Sequence, residues 1–110
     1  MKIETLKSTK DFKRLKNGKF YRSDSFLLQG MGNNESKMIR VGYTVTKQNG
    51  NAVIRNRIKR RLKSVVQEVF NSIESNNWDY VMIGKKNTLI TSFSNLKSEL
   101  EFAVNKINKD

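Results

Sequence analysis

One periodicity constrains this chain more than any other feature. Ile54, Ile58 and Leu62 are followed by Val65, Val66, Val69, Phe70 and Ile73. Steps of three and four put these apolar side chains on one face of an α-helix. The spacing predicts a helix from about Asn51 to residues 72–74, with Asn49-Gly50-Asn51 turning the chain into it. Such a helix must bury its stripe against something, because an amphipathic helix alone is marginal in water. The flanks supply that surface. In Met38–Thr46, Val41, Tyr43 and Val45 alternate with Arg40, Gly42, Thr44 and Thr46, the period of a half-buried strand. Trp78–Gly84 is a nearly continuous apolar run, which reads as a central, buried strand.

The remaining segments extend this pattern. Residues 8–17 read as a short helix: Ser8 with Asp11 resembles a capping box, Phe12 and Leu15 share a face, and Asn17-Gly18 is a stop. Residues 19–31 read as extended, interrupted at Ser23-Asp24-Ser25 into a short and a longer strand, and a polar turn follows over 30–36. Residues 92–107 read as a structural helix, with Phe93, Leu96, Leu100, Val104 and Ile107 on one face and Ser92 or Ser94 as cap. The order is α-β-β-β-α-β-α. The expected fold is an α+β two-layer sandwich, a mixed four-stranded sheet with its helices on one face. A chain of 110 residues forms one domain, 1–110, around one modest core.

Composition enters through charge. The chain has 22 Lys plus Arg against 10 Asp plus Glu, a formal net charge of +12. From Arg55 to Lys63, six of nine residues are basic and none is acidic. With Ile54 at ~0° and ~100° per residue, Asn56, Arg57, Arg60, Arg61 and Lys63 spread over the face opposite the apolar stripe. Asn51 and Arg55 fall on the core side. An unpaired Arg is costly to bury, so the first turn is expected to overhang the core and reach into a groove. Arg40 and the Gly/Thr face of its strand would form the groove's floor, with Lys47 at its mouth. Asn51 reads equally well as a plain N-cap. Lys85-Lys86 is either a phosphate contact or a solvated turn. A cationic surface this dense points to a polyanion, nucleic acid before membrane.

The same composition excludes much chemistry. The chain has no His and no Cys, hence no imidazole base, thiol nucleophile or thiolate metal site. The absence of cysteine fits a reducing cytosol. The acids are scattered, and none falls between Glu35 and Glu68, so no carboxylate cluster for a two-metal nuclease is expected. No apolar run approaches membrane-spanning length. The expected behaviour is to bind RNA without cutting it alone.

Gly50-Asn51-Ala52-Val53 followed by Arg55-Asn56-Arg57-Ile58-Lys59-Arg60 resembles the signature helix of the bacterial ribonuclease P protein subunit. Arg40–Lys47 resembles the strand before that signature, and Asp79–Ile83 with Lys85-Lys86 the strand after it. The resemblance implies a ribosomal S5 domain 2-like fold with a left-handed β-α-β crossover. It implies catalysis by an RNA subunit that uses magnesium, with no protein ligand for the metal. The protein partners would be that catalytic RNA and precursor tRNA, in the cytoplasm and away from membrane. Carried onto this chain, catalytic-RNA contacts fall on Asn51, Arg55, Asn56, Arg57, Lys59, Arg60, Arg61 and Lys63. A cleft for the single-stranded 5′ leader falls on Phe12, Arg40, Lys47, Asn51 and Arg55. The chain departs from the pattern twice. Leu15 or Lys16 stands where a second aromatic is usual, and Gln48 where a second basic residue is usual. Two other classes remain open at this point, a ribosomal or assembly protein that binds structured RNA, and a self-sufficient nuclease.

Overall fold

The computed structural model describes residues 3–33, 38–71 and 77–108. Along the chain, β1 (Ile3–Thr5) leads into α1 (Thr9–Leu15) and then the hairpin of β2 (Lys19–Arg22) and β3 (Phe26–Gly32). β4 (Ile39–Thr44), a tight turn at Lys47–Asn49, α2 (Ala52–Phe70) and β5 (Trp78–Gly84) follow. α3 (Asn87–Ile90) and α4 (Phe93–Asn108) complete the order. The expected ends over 34–36 and 72–76, with the core role of Ile73, lie outside the described residues.

The strands form one five-stranded sheet in the order β1-β4-β5-β3-β2. β4 and β5 run parallel, joined through α2, with Arg40 opposite Asp79 and Thr44 opposite Ile83. β3 pairs antiparallel with both β5 and β2. The apolar stripe of α2 packs with Leu96, Leu100, Ala103, Val104 and Ile107 of α4 onto Phe26, Leu28, Val41, Tyr80 and Met82 of the sheet. Val41 and Val45 are buried on this side, as the alternation of β4 predicts. Ser92 caps α4, its hydroxyl accepting the Asn95 N–H at 3.2 Å.

The sheet has five strands, not four. β1 is three residues long and pairs parallel with Ile39–Val41 of β4. A three-residue edge strand is too short to leave a period in the sequence. The helices do not all lie on one face either. Leu15 and Phe12 of α1 pack with Leu6, Met31, Val81 and Ile83, a second cluster on the opposite side of the sheet. The reason lies in β5: a strand apolar on both faces needs cover on both. Ser8 stands at the N-cap of α1 without a side-chain cap bond. Asp11 turns instead toward Arg14 and Arg40, at 3.8 and 3.9 Å.

Candidate nucleic-acid interface

α2 begins abruptly, and its own residues explain why. Gly50 has φ of 137°, a conformation that L side chains avoid. The side chain of Asn51 then accepts the Ile54 N–H at 3.0 Å, so Asn51 is the N-cap. The first turn carries no acid, which leaves its free amides and dipole open to an anion. From there Asn56, Arg57, Arg60 and Lys63 are exposed, while Arg55, Lys59 and Arg61 are half-buried.

Two of these arginines differ from the rest. Arg61 turns inward and donates from Nη2 to the Thr91 carbonyl, which ties α2 to the α3–α4 connection. Arg61, expected among the RNA-facing residues, thus makes a structural contact inside the fold. Arg55 has a buried Nε with no hydrogen-bond partner among the described residues. The sequence argument had the first turn overhang the core so that Arg55 would escape such burial; instead the residue is half-buried.

A groove of about 290 Å³ opens along the flank of α2, lined by Thr5, Leu6, Lys7, Phe12, Tyr43, Lys59 and Lys63. It exists because β1 ends early: its register covers β4 only from Ile39 to Val41. The ring of Phe12 reaches this position because position 42 is glycine. A Cβ there would stand 2.6 Å from the ring tip. The Gly42 face thus admits an aromatic side chain of the protein itself, where the sequence suggested an RNA floor. Lys63 Nζ lies 5.7 Å from the centroid of the Tyr43 ring, within cation–π range. Burial pushes the Tyr43 hydroxyl up to about 12, so it stays protonated at neutral pH.

Of the five residues expected to make the cleft, only Phe12 lines this groove. Arg55 lies one turn before Lys59 on the line Arg55, Lys59, Lys63, whose spacing of four keeps them on one flank. Lys47 is exposed in the turn before α2, and Asn51 caps the helix. Arg40 is engaged within the fold. It lies on the α1 side and donates from Nε and Nη2 to the two carboxylate oxygens of Asp79, at 2.8 and 2.7 Å. Arg14 donates to the same carboxylate, as does Asn33 at 3.1 Å. Burial alone would push the Asp79 carboxyl up, but the donors Arg40, Asn33 and Arg14 outweigh it and hold it below the usual range. The hydrogen bond to Asp79 raises Arg40 in turn. Sequence reasoning missed Thr5, Leu6, Lys7 and Tyr43. It had Lys59 and Lys63 as contacts to the catalytic RNA; the four-residue step from Arg55 is the signal that places them here.

Among the described residues no group of three or more acids converges as a metal site, and no helix is long and apolar enough to cross a membrane. The model of the family described as Ribonuclease P matches residues 1–108. The chain belongs to the ribonuclease P protein family. The ribonuclease P protein component of Gluconacetobacter diazotrophicus is 38% identical over 89 residues, covering 81% of this chain and 77% of that one. That of Brucella suis is 37% identical over 106 residues, covering 89% and 75%. In fold the chain is similar to the RNase P protein of Staphylococcus aureus, with a TM-score of 0.79 at 27% identity over 97% of both chains. The Thermotoga maritima RNase P protein, with a TM-score of 0.75 at 23% identity, shares the fold. As a ribonuclease P protein, the chain takes part in tRNA processing as an RNA-binding member of a ribonucleoprotein. This sets aside the reading as a ribosomal or assembly protein with no role in tRNA processing.

Proposed function

We propose that α2 docks the catalytic RNA of ribonuclease P while the groove beside it receives the 5′ leader of precursor tRNA. The observation that carries this is the junction of two surfaces on one helix. Asn56, Arg57 and Arg60 face outward on α2, and Lys59 and Lys63 on its flank share a groove with Phe12 and Tyr43. Cations that track a backbone beside aromatic faces on which bases stack are the recurring means of holding a single strand. Arg55 and Lys47 extend the cationic line toward the N-terminal end of α2, and Asn51 fixes that end.

The endonucleolytic step belongs, in this reading, to the RNA. The chain offers no His or Cys, and the described acids form no ligand set for magnesium. Magnesium is therefore assigned to the RNA, with the protein neutralising phosphates around it. The working compartment is the cytoplasm. The test is a cleavage assay with precursor tRNA, with and without the catalytic RNA. Cleavage is expected only when both components are present at low magnesium. Cleavage by the protein alone would overturn the division of labour.

A further inference from the structure

α1 has seven residues, too few for a helix to hold itself in water. Its place is set by what it docks on. Leu15 is fully buried, and Phe12 lies over Gly42. Apolar burial is non-directional, so these contacts leave so short a helix free to rotate and slide. The directional contact is polar. Arg14, two residues after Phe12, donates to the Asp79 carboxylate, whose side chain has no exposed surface. Arg40 holds the same carboxylate from the neighbouring strand through two bonds, and Asn33 holds it from the end of β3. Asp11 lies 3.8 Å from Arg14 and 3.9 Å from Arg40. Two arginines and two aspartates thus cancel within one cluster, in a chain whose net charge is +12.

We propose that Asp79 is a positioning residue for the leader groove, holding α1 through Arg14 so that Phe12 stands at the groove wall, and holding Arg40 away from RNA. The proposal rests on the reading of the groove as the leader site. Asp79 sits on the central strand, the least mobile platform the sheet offers. A carboxylate that accepts from three elements at once defines both the rotation of α1 and its height above the sheet. Arg14 and Arg40 then influence the leader without touching it. Their charge is matched inside the protein, so neither releases a counterion when RNA binds.

The experiment compares Arg14→Gln, Asp79→Asn and the double variant, each assembled with the catalytic RNA, with Phe12→Ala as control. Affinities for leader-bearing precursor and for mature tRNA are measured across a salt series. Arg14→Gln removes a half-exposed side chain and keeps the test informative if Asp79→Asn does not fold. The expected result is a ~3- to 10-fold loss for leader-bearing precursor, up to the ~10-fold scale of one lost base stack. Mature tRNA should bind as before, and the slope of log affinity against log salt should not change. The double variant should lose no more than the worse single one, as residues acting in one network do. A slope flattened by about one unit for Arg14→Gln would make it a phosphate contact and overturn the proposal. So would an unchanged precursor affinity in a background where Phe12→Ala shows a leader-selective loss. If Phe12→Ala itself lowers both affinities equally, the groove is not the leader site, and the positioning role falls with it.

Discussion

Phe12 and Asp79 sit on the same face of the sheet and fail differently when altered. Phe12 is half-buried, with its ring tip over Gly42 and its flank in the groove. Phe12→Ala is expected to weaken leader-bearing precursor by ~1–3 kcal/mol, the contribution of one stacked base, and mature tRNA much less. Filter binding to the assembled holoenzyme checks this, after circular dichroism has shown native helix content. Asp79 is a matter of stability. Its folded carboxyl lies below the usual carboxylate range because Arg40, Asn33 and Arg14 outweigh burial. The unfolded chain therefore takes up the proton first as pH falls. The stability this carboxylate provides is complete above the unfolded pKa and is lost as pH drops through it toward the folded value. Asp11, Arg14, Arg40 and Asn33 are the groups that face it. Removing one partner of a fully buried pair costs ~3–5 kcal/mol, and solvent contact at both guanidiniums reduces that here. Asp79→Asn should lower the urea midpoint at neutral pH, with the gap to the parent closing below about pH 4. A gap that stays constant into acid would mean that the carboxylate's charge is not what matters. The role of Asp79 was not visible in the residue itself, because Arg14 and Arg40 that pair with it are 65 and 39 residues away in the chain.

α2 is the element that the sequence described most completely, and it divides into parts with separate consequences. Asn51→Ala removes the cap on Ile54 N–H and should cost ~1 kcal/mol of stability, read from urea unfolding at unchanged m-value. The outer face should show itself through salt. If it neutralises about six to eight phosphates, affinity for the catalytic RNA should fall with a log–log slope of roughly −4 to −7. Arg57→Ala and Arg60→Ala should each flatten that slope by about one unit or less. Arg61→Ala should leave the slope alone and lower stability instead, because its guanidinium holds the Thr91 carbonyl. Equal slope changes for Arg57 and Arg61 would place both on RNA. Helical angle alone groups Arg61 with Arg57 and Arg60. Only the arrival of α3 on that flank distinguishes them, and α3 is four residues long, too short to announce itself by period.

For the whole molecule, the proposed role is to position and neutralise: the chain has no His and no Cys, and the described acids form no cluster of three or more. Lowering phosphate repulsion lets two RNA segments approach with fewer counterions, and added divalent metal can replace part of that. Arg55→Ala or Arg57→Ala should raise the magnesium needed for cleavage and weaken substrate binding. The single-turnover rate at saturating magnesium, RNA and precursor should change little. A folded single-residue variant that abolished cleavage under those conditions would show that the protein supplies a reacting group.

The periodicities of residues 39–44, 52–70 and 93–108 determined the three main elements, because each carries an apolar set at the spacing of its own secondary structure. The signature from Gly50 to Arg60 determined the family, because its identities and spacing are specific. What the sequence could not decide was which elements meet. β1 earns its place only by pairing with β4, and α1 crosses to the far face only because Val81 and Ile83 need cover. The groove exists only because β1 stops at Thr5 while β4 continues to Thr44. The pairing of Arg40 with Asp79 came only with the register that sets them opposite each other. Local spacing is written along the chain, whereas the pairing of distant charges depends on sheet order, and sheet order is settled by the packing of the whole.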